Sequence, residues 1–237
     1  MLENYVIVDL ETTGLEVKRD KIIEIGAIKI RKGYEPEVYN TFVNPGIPIS
    51  ERIVELVGIT DDMVRDAGNI RDVIKEFIDF TEDLPLLGHN LMFDYGFLKT
   101  AASAEGLRFE KQGLDTLKIA RKYLPDLPSR RLDYLCEYFG IEDLQHHRAW
   151  NDAKVTGELY QILCERFLGE EETDEKDFEP KALCFTVKKD SPITMKQQKY
   201  LRSLLMRHGI EADCELDLLT KSDASKMIDH IISQYGR

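Results

Sequence analysis

Residues Tyr5 to Leu10 (YVIVDL) form an almost uninterrupted apolar run rich in β-branched side chains, broken only by Asp9, and a second acid follows at Glu11. Such a run reads as a strand covered on both faces. A period of two puts the Asp9 and Glu11 carboxylates on one face, where they repel unless they meet solvent or share cations. The chain is thereby expected to bury a sheet inside a layered fold, with an anionic point where its first strand ends.

Two further β-rich runs, Lys21 to Arg31 (KIIEIGAIKIR) and Val38 to Val43, flank the turn-like Lys32-Gly33, so three strands open the fold as a meander. After Pro48 the pattern turns helical. Helices are expected over 51–57, with Ser50 as cap, and over 70–81, followed by a short strand over 85–87. Further helices are expected at about 92–105, 116–123 and 132–139, with a weak strand around Leu114. A long helix follows from about His147 to Phe167. Its Ala149, Ala153, Thr156, Leu159, Tyr160 and Leu163 recur at three and four residues, as packing on a sheet requires, and Trp150 is expected to pack there too. Strands first and helices interleaved later predict an α/β fold with a mixed sheet flanked by helices.

A hydrophobic share of 43% supplies a core, so a globular chain is expected. The net charge of −12 provides no global field to attract a polyanion, which must then be held locally or through metal ions. Four cysteines without a C-x-x-C pair fit a reducing cytoplasm, and neither a leader nor a membrane span is expected.

From Gly169 to Pro180 (GEEETDEKDFEP) seven acids stand against one lysine, which predicts a solvated linker. It divides a first domain, 1–168, from a small, mainly helical module, 181–237, of unknown function. That module carries ten basic and seven acidic residues. Within it Thr194 and Gln197 have capping-box spacing before a helix ended by Gly209, and Thr220 can cap another. Lys188, Lys189, Lys196, Lys199, Arg202 and Arg207 are candidates for contact with nucleic acid or an acidic partner, or for the solvated face of a helix.

Asp9 and Glu11 alone are weak evidence for a metal site, since a strand leaving the core into the polar Thr12-Thr13-Gly14 turn reads the same way. Asp94 falls in the first turn of a helix, where an acid is favourable in any case. His147 and Asp152, five residues apart on the expected helix, are separated by about 500° of rotation and are only loose neighbours.

Joined in order, VDLETTGL, HNLMFD and HRAWND resemble the three motifs of the DEDDh 3′-to-5′ exonucleases, the group containing the proofreading epsilon subunit of bacterial DNA polymerase III. The resemblance covers about residues 4–168 and extends to KIIEIGAIKI, GIT and LDTLKIARKYLPDLPSRRLDYLCEYFGI. It implies a ribonuclease-H-like fold and two divalent ions, Mg²⁺ or Mn²⁺. Asp9 would bridge both, Glu11 and Asp152 support one, and Asp94 the other, with one ion activating a water and the second stabilising the leaving 3′ oxygen. His147 would be the general base, an imidazole being suited to proton transfer near neutrality. The turn formed by Thr12, Thr13, Gly14 and Leu15 would contact the terminal nucleotide, and His89, Asn90 and Phe93 would shape its pocket. The tail resembles a small helical module attached to other bacterial proteins.

What the resemblance implies is an enzyme that releases nucleoside monophosphates from 3′ ends of DNA, single strands above all, in proofreading or repair beside a DNA polymerase or another replication or repair protein. The alternatives are an exoribonuclease acting on RNA 3′ ends and a non-catalytic module that binds nucleic acid or a polymerase.

Overall fold

The computed structural model describes residues 1–142, 147–187, 191–212 and 214–236. Its strands are β1 (Asn4–Thr12), β2 (Ile22–Arg31), β3 (Glu37–Phe42), β4 (Leu86–Gly88), β5 (Gln112–Asp115) and β6 (Lys181–Ala182). They form one sheet in the order β3-β2-β1-β4-β5-β6. The opening meander is antiparallel, β4 and β5 run parallel to β1, and β6 closes the edge antiparallel to β5. The fold is thus the mixed α/β sheet flanked by helices that the sequence predicts.

The helices are α1 (Glu51–Val57), α2 (Asp61–Val64), α3 (Ile70–Thr81), α4 (Leu91–Ala104), α5 (Thr116–Tyr123), α6 (Leu132–Phe139), α7 (Ala149–Phe167), α8 (Met195–His208) and α9 (Lys221–Tyr235). Ser50 stands at the α1 N-cap without a side-chain hydrogen bond, so it is a boundary but not a bonding cap. Alternate residues of β1 serve two cores. Val6, Val8 and Leu10 face Ile74, Phe77 and Tyr95 from α3 and α4. Tyr5 and Ile7 face Ala153, Leu159 and Tyr160 of α7. Because Asp9 and Glu11 continue the Tyr5-Ile7 row, they emerge on the α7 side where the parallel strands end.

The chain divides into two compact units, Met1–Val187 and Lys188–Arg237. The segment 169–180, expected as solvated linker, therefore lies within the first unit. Phe178 is 4% exposed in the α7 core, Asp177 accepts a hydrogen bond from Tyr123 at 2.9 Å, and β6 follows directly. The acids of this stretch face water while one aromatic side chain anchors it, and composition averages the two away. Beyond β6, Leu183 and Phe185 pack on the α4 side of the sheet. In the second unit α8 and α9 bury Leu201, Leu204, Leu205, Ile228 and Ile231 together. Thr194 and Gln197 form the expected capping box, and Thr220 accepts from the Asp223 N–H at 3.1 Å. Arg202 is paired with Asp217 at 2.9 Å, whereas Lys188 and Lys189 lie outside the described residues.

Candidate active site

In a parallel arrangement the strand ends gather side chains from several connections, and ligands bind beyond the carboxyl ends. Here β1 outlasts β4. The Val6 N–H donates to the Pro85 carbonyl at 2.9 Å, and at Leu10, two periods further, β4 has ended. The Leu10 N–H turns instead to the Asp94 carboxylate in the first turn of α4. An acid from the second motif is thereby fixed to the strand carrying the first.

The third motif arrives on α7. Gly26, the partner of Asp9 in the β1–β2 ladder, is where the helix crosses: a Cβ there would stand 2.2 Å from the Trp150 nitrogen. Glu24, opposite Glu11, is 1% exposed and fixes the helix start. Arg148 donates to it through Nη2 at 2.8 Å and Nε at 3.2 Å, and the Ala149 N–H donates at 3.2 Å. Ala149 and Ala153 are fully buried on the sheet, while Trp150 is 38% exposed, contrary to its expected packing role; the small residues permit the close approach and the indole is displaced outward.

His147 precedes α7 rather than lying on it, with φ +61°, a left-handed conformation that a non-glycine residue rarely adopts. The helical rotation argument for its relation to Asp152 therefore fails. The turn brings His147, Asp152 and Glu11 together, with one ligand atom from each lying within 4.8 Å of the others. Asp9 and Asp94 are electrostatically coupled to this group without belonging to that tight trio.

The electrostatics are those of an anionic cluster. Burial pushes the Asp9 carboxyl far above the usual range, and Asp94, Asp152, Glu11 and Glu24 add repulsion. Glu11 is pushed up to about 8 by burial, then by Asp152, Glu24 and Asp94, with Arg148 opposing. Asp94 is also raised by burial, against the hydrogen bond from Leu10. Carboxyls driven this way fit hard divalent cations, whose charge would offset the repulsion.

The first-motif turn is braced. Thr12 Oγ1 donates to the Gly14 carbonyl at 2.6 Å, the Lys21 N–H donates to Thr13 Oγ1 at 2.9 Å, and the Glu16 N–H donates to Asp20 at 2.8 Å. Leu15, left 82% exposed, projects beside a cleft of about 820 Å³ that also takes in His89, Asn90, His147 and Asp152. His89 Nε2 donates to the Arg130 carbonyl at 2.8 Å and Nδ1 meets the Thr116 hydroxyl at 2.9 Å. Burial holds this imidazole below its usual pKa, against the opposing hydrogen bond to the Arg130 carbonyl. Asn90 is left-handed, φ +69°, and its N–H donates to Asp115 Oδ1 at 2.9 Å. Phe93 is half-buried with its ring 5.1 Å from that of Phe97.

Three structural contributors escape motif reading: Gly26, Glu24 and Asp115. The signals exist. An acid inside KIIEIGAIKI needs a partner if buried, and Asp115-Thr116 before a helical pattern is a cap signature, with Asp115 accepting from the Leu117 N–H at 3.0 Å.

A family model described as Exonuclease, RNase T, matches residues 6–160. The PolC-type DNA polymerase III of Caldanaerobacter subterraneus subsp. tengcongensis is 44% identical over 162 residues, covering 68% of this chain and 12% of that protein. Its Bacillus subtilis counterpart is 42% identical over 159 residues, 66% of this chain and 11% of that protein. The chain thus spans about an eighth of the length of these relatives. Among solved structures, E. coli exonuclease I in complex with a dA16 oligonucleotide has a TM-score of 0.62 at 20% identity, over 70% of this chain and 41% of that one. A 3′-exonuclease recognising the histone mRNA stem-loop has 0.59 at 21%, over 70% and 83%. These two likenesses concern the fold. With the matched region taking in Asp9, Glu11, Asp94, His147 and Asp152, the chain belongs to the exonuclease family.

Proposed function

We propose that this exonuclease releases nucleoside monophosphates stepwise from the 3′ end of single-stranded DNA. The observation carrying the reading is the convergence of Glu11, His147 and Asp152 within 4.8 Å, beside the coupled Asp9 and Asp94. Asp9, Glu11, Asp94 and Asp152 would hold two divalent cations, Mg²⁺ or Mn²⁺. When bound, such ions lower the pKa of a water and neutralise charge on the scissile phosphate. His147 orients the attacking water and takes its proton, its left-handed backbone keeping the ring beside the acids. Leu15 rests against the terminal base, Thr12, Thr13 and Gly14 keep that turn in place, and His89, Asn90 and Phe93 bound the nucleotide pocket.

DNA is favoured over RNA because the PolC-type relatives are DNA polymerases at above 40% identity. The same likeness supports work in replication or repair, in the cytoplasm and beside a polymerase or similar protein. Among the described residues no helix is long and apolar enough to cross a membrane. End-labelled DNA and RNA oligonucleotides, incubated with Mg²⁺, Mn²⁺ or chelator, test polarity, sugar preference and metal need together. Mononucleotide release from the 3′ end of DNA, abolished by chelator, is expected; a 5′-to-3′ ladder or activity in chelator would overturn the reading.

A further inference from the structure

The cleft has two unlike walls. His147 and Asp152 line it from the side of the acid cluster; α5, the loop before α6 and the first turn of α6 contribute Arg121, Arg131 and Asp133. Leu117 and Arg121 are four residues apart on α5 and share the face that lines the cleft. Arg121 is exposed and has no hydrogen bond or ion pair among the described residues. Among the described residues the Arg131 guanidinium pairs with Asp133, Nε to Oδ1 and Nη2 to Oδ2 at 3.2 Å each, at a solvent-exposed position where a phosphate can compete for the same fork.

The loop carrying Arg131 is held in place. Arg130 donates to the Leu124 carbonyl through Nη2 at 2.9 Å and Nε at 3.1 Å, while its own carbonyl accepts from His89. The Arg131 N–H donates to Ser129 Oγ at 3.2 Å. The backbone of the wall is thus tied both to the end of α5 and to the start of α4, so the two guanidiniums project from a preformed surface.

We propose that Arg121 and Arg131 form a phosphate track for the part of a single strand upstream of its terminal nucleotide. The proposal rests on the exonuclease reading above. A 3′ end at the acids leaves every remaining phosphate upstream, so only upstream phosphates reach the opposite wall. In a chain of net charge −12, a polyanion needs a local cationic surface, and the planar guanidinium fork matches phosphate oxygens. Leu117 and Leu132, lining the same wall, offer apolar surface to sugars or bases between the two charges.

The test uses the full chain with Ca²⁺, following the anisotropy of 5′-fluorescein-labelled decathymidylate and its displacement by unlabelled oligothymidylates of two to ten nucleotides. Arg121→Ala/Arg131→Ala should weaken decamer binding about tenfold or more and reduce the log-log salt slope by about 1.4, since each phosphate contact on a single strand contributes about 0.7. The affinity gained by lengthening the competitor from two to ten nucleotides should largely disappear. A Lys75→Ala/Arg108→Ala control, with the same change in net charge outside the cleft, should keep both slope and length dependence. Wild-type slope and length dependence in the arginine variant would overturn the track. So would an equal loss for dinucleotide and decamer, which would assign the arginines to the terminal nucleotide. Hydrolysis of the decamer in Mg²⁺ is scored separately: length-dependent binding sensitive to these arginines, without hydrolysis, would fault the catalytic reading and uphold the track.

Discussion

Gly26 and Ala149 touch so closely that a Cβ on Gly26 would stand 2.1 Å from the Ala149 carbonyl carbon. The contact is backbone, and neither β2 nor the first turn of α7 has a side-chain rotamer with which to yield. Gly26→Ala should therefore lift the helix start from the strand, costing about 1–3 kcal/mol, as overpacking does. The melting temperature should fall by roughly 2–12 °C, given about 2–4 °C per kcal/mol for a domain of this size. Because Asp152 rides on that helix, cation affinity measured by calorimetry should fall with it; a variant that melts and binds like wild type would show that α7 is placed otherwise.

Removing acids should have the opposite effect on stability. Asp9→Ala or Asp152→Ala is expected to lower nuclease turnover by about 10³-fold or more, on the scale of several kcal/mol of lost transition-state stabilisation. The metal-free variants should melt at or slightly above the wild-type temperature, because one member of a mutually repelling set has gone. Oligonucleotide turnover and thermal melts in chelator check both halves.

The same repulsion fixes a pH dependence. Glu11 titrates at about 8 in the folded chain against an ordinary 4.5, so between these values the folded chain keeps a proton that the unfolded chain has released. Stability without cations should decline as pH rises from about 4.5 to about 8 and then level, as far as Glu11 governs it. Saturating Mn²⁺ should flatten the decline. Melts across pH 5 to 9, with chelator and with Mn²⁺, provide the comparison.

His147→Ala should reduce turnover by about 10² to 10⁴, the usual worth of a positioned acid-base group, while Mn²⁺ binding persists. The ring stands close enough to Glu11 and Asp152 for a ligand role to be the competing outcome. Calorimetry decides: loss of Mn²⁺ binding in the variant would make His147 a ligand or structural residue.

Truncations should separate the acid-rich segment from the unit boundary. A chain ending at 187 is expected to fold and hydrolyse short oligonucleotides. One ending at 168 loses Phe178 from the core and β6 from the sheet edge, and should melt several degrees lower or fail to fold. Circular dichroism of the two fragments suffices, and equal melting curves would show that the segment contributes nothing.

Much of the fold was legible because local signals agree with tertiary ones. The helices expected over 70–81, 116–123 and 132–139 have those bounds in the structure, the first two supported by side-chain caps at Asn69 and Asp115. Short α2 has too few apolar positions to declare a period, with only Val64 buried. Phe178 was hidden by the acids around it. At the site, the acids and His147 were marked by motif spacing, but their mutual placement was not. The left-handed turn at His147 and the cross-strand grip of Glu24 on Arg148 depend on where α7 meets β2, which no local pattern encodes.

The helix bearing Asp152 lies on strands made much earlier in the chain. A nascent polypeptide can expose Asp9, Glu11 and Asp94 while His147 and Asp152 are still untranslated. On the proposed assignment, such a chain would still lack part of its cation site and its base. On that assignment, hydrolytic capacity would arrive only when α7 docks on strands laid down far earlier in the chain.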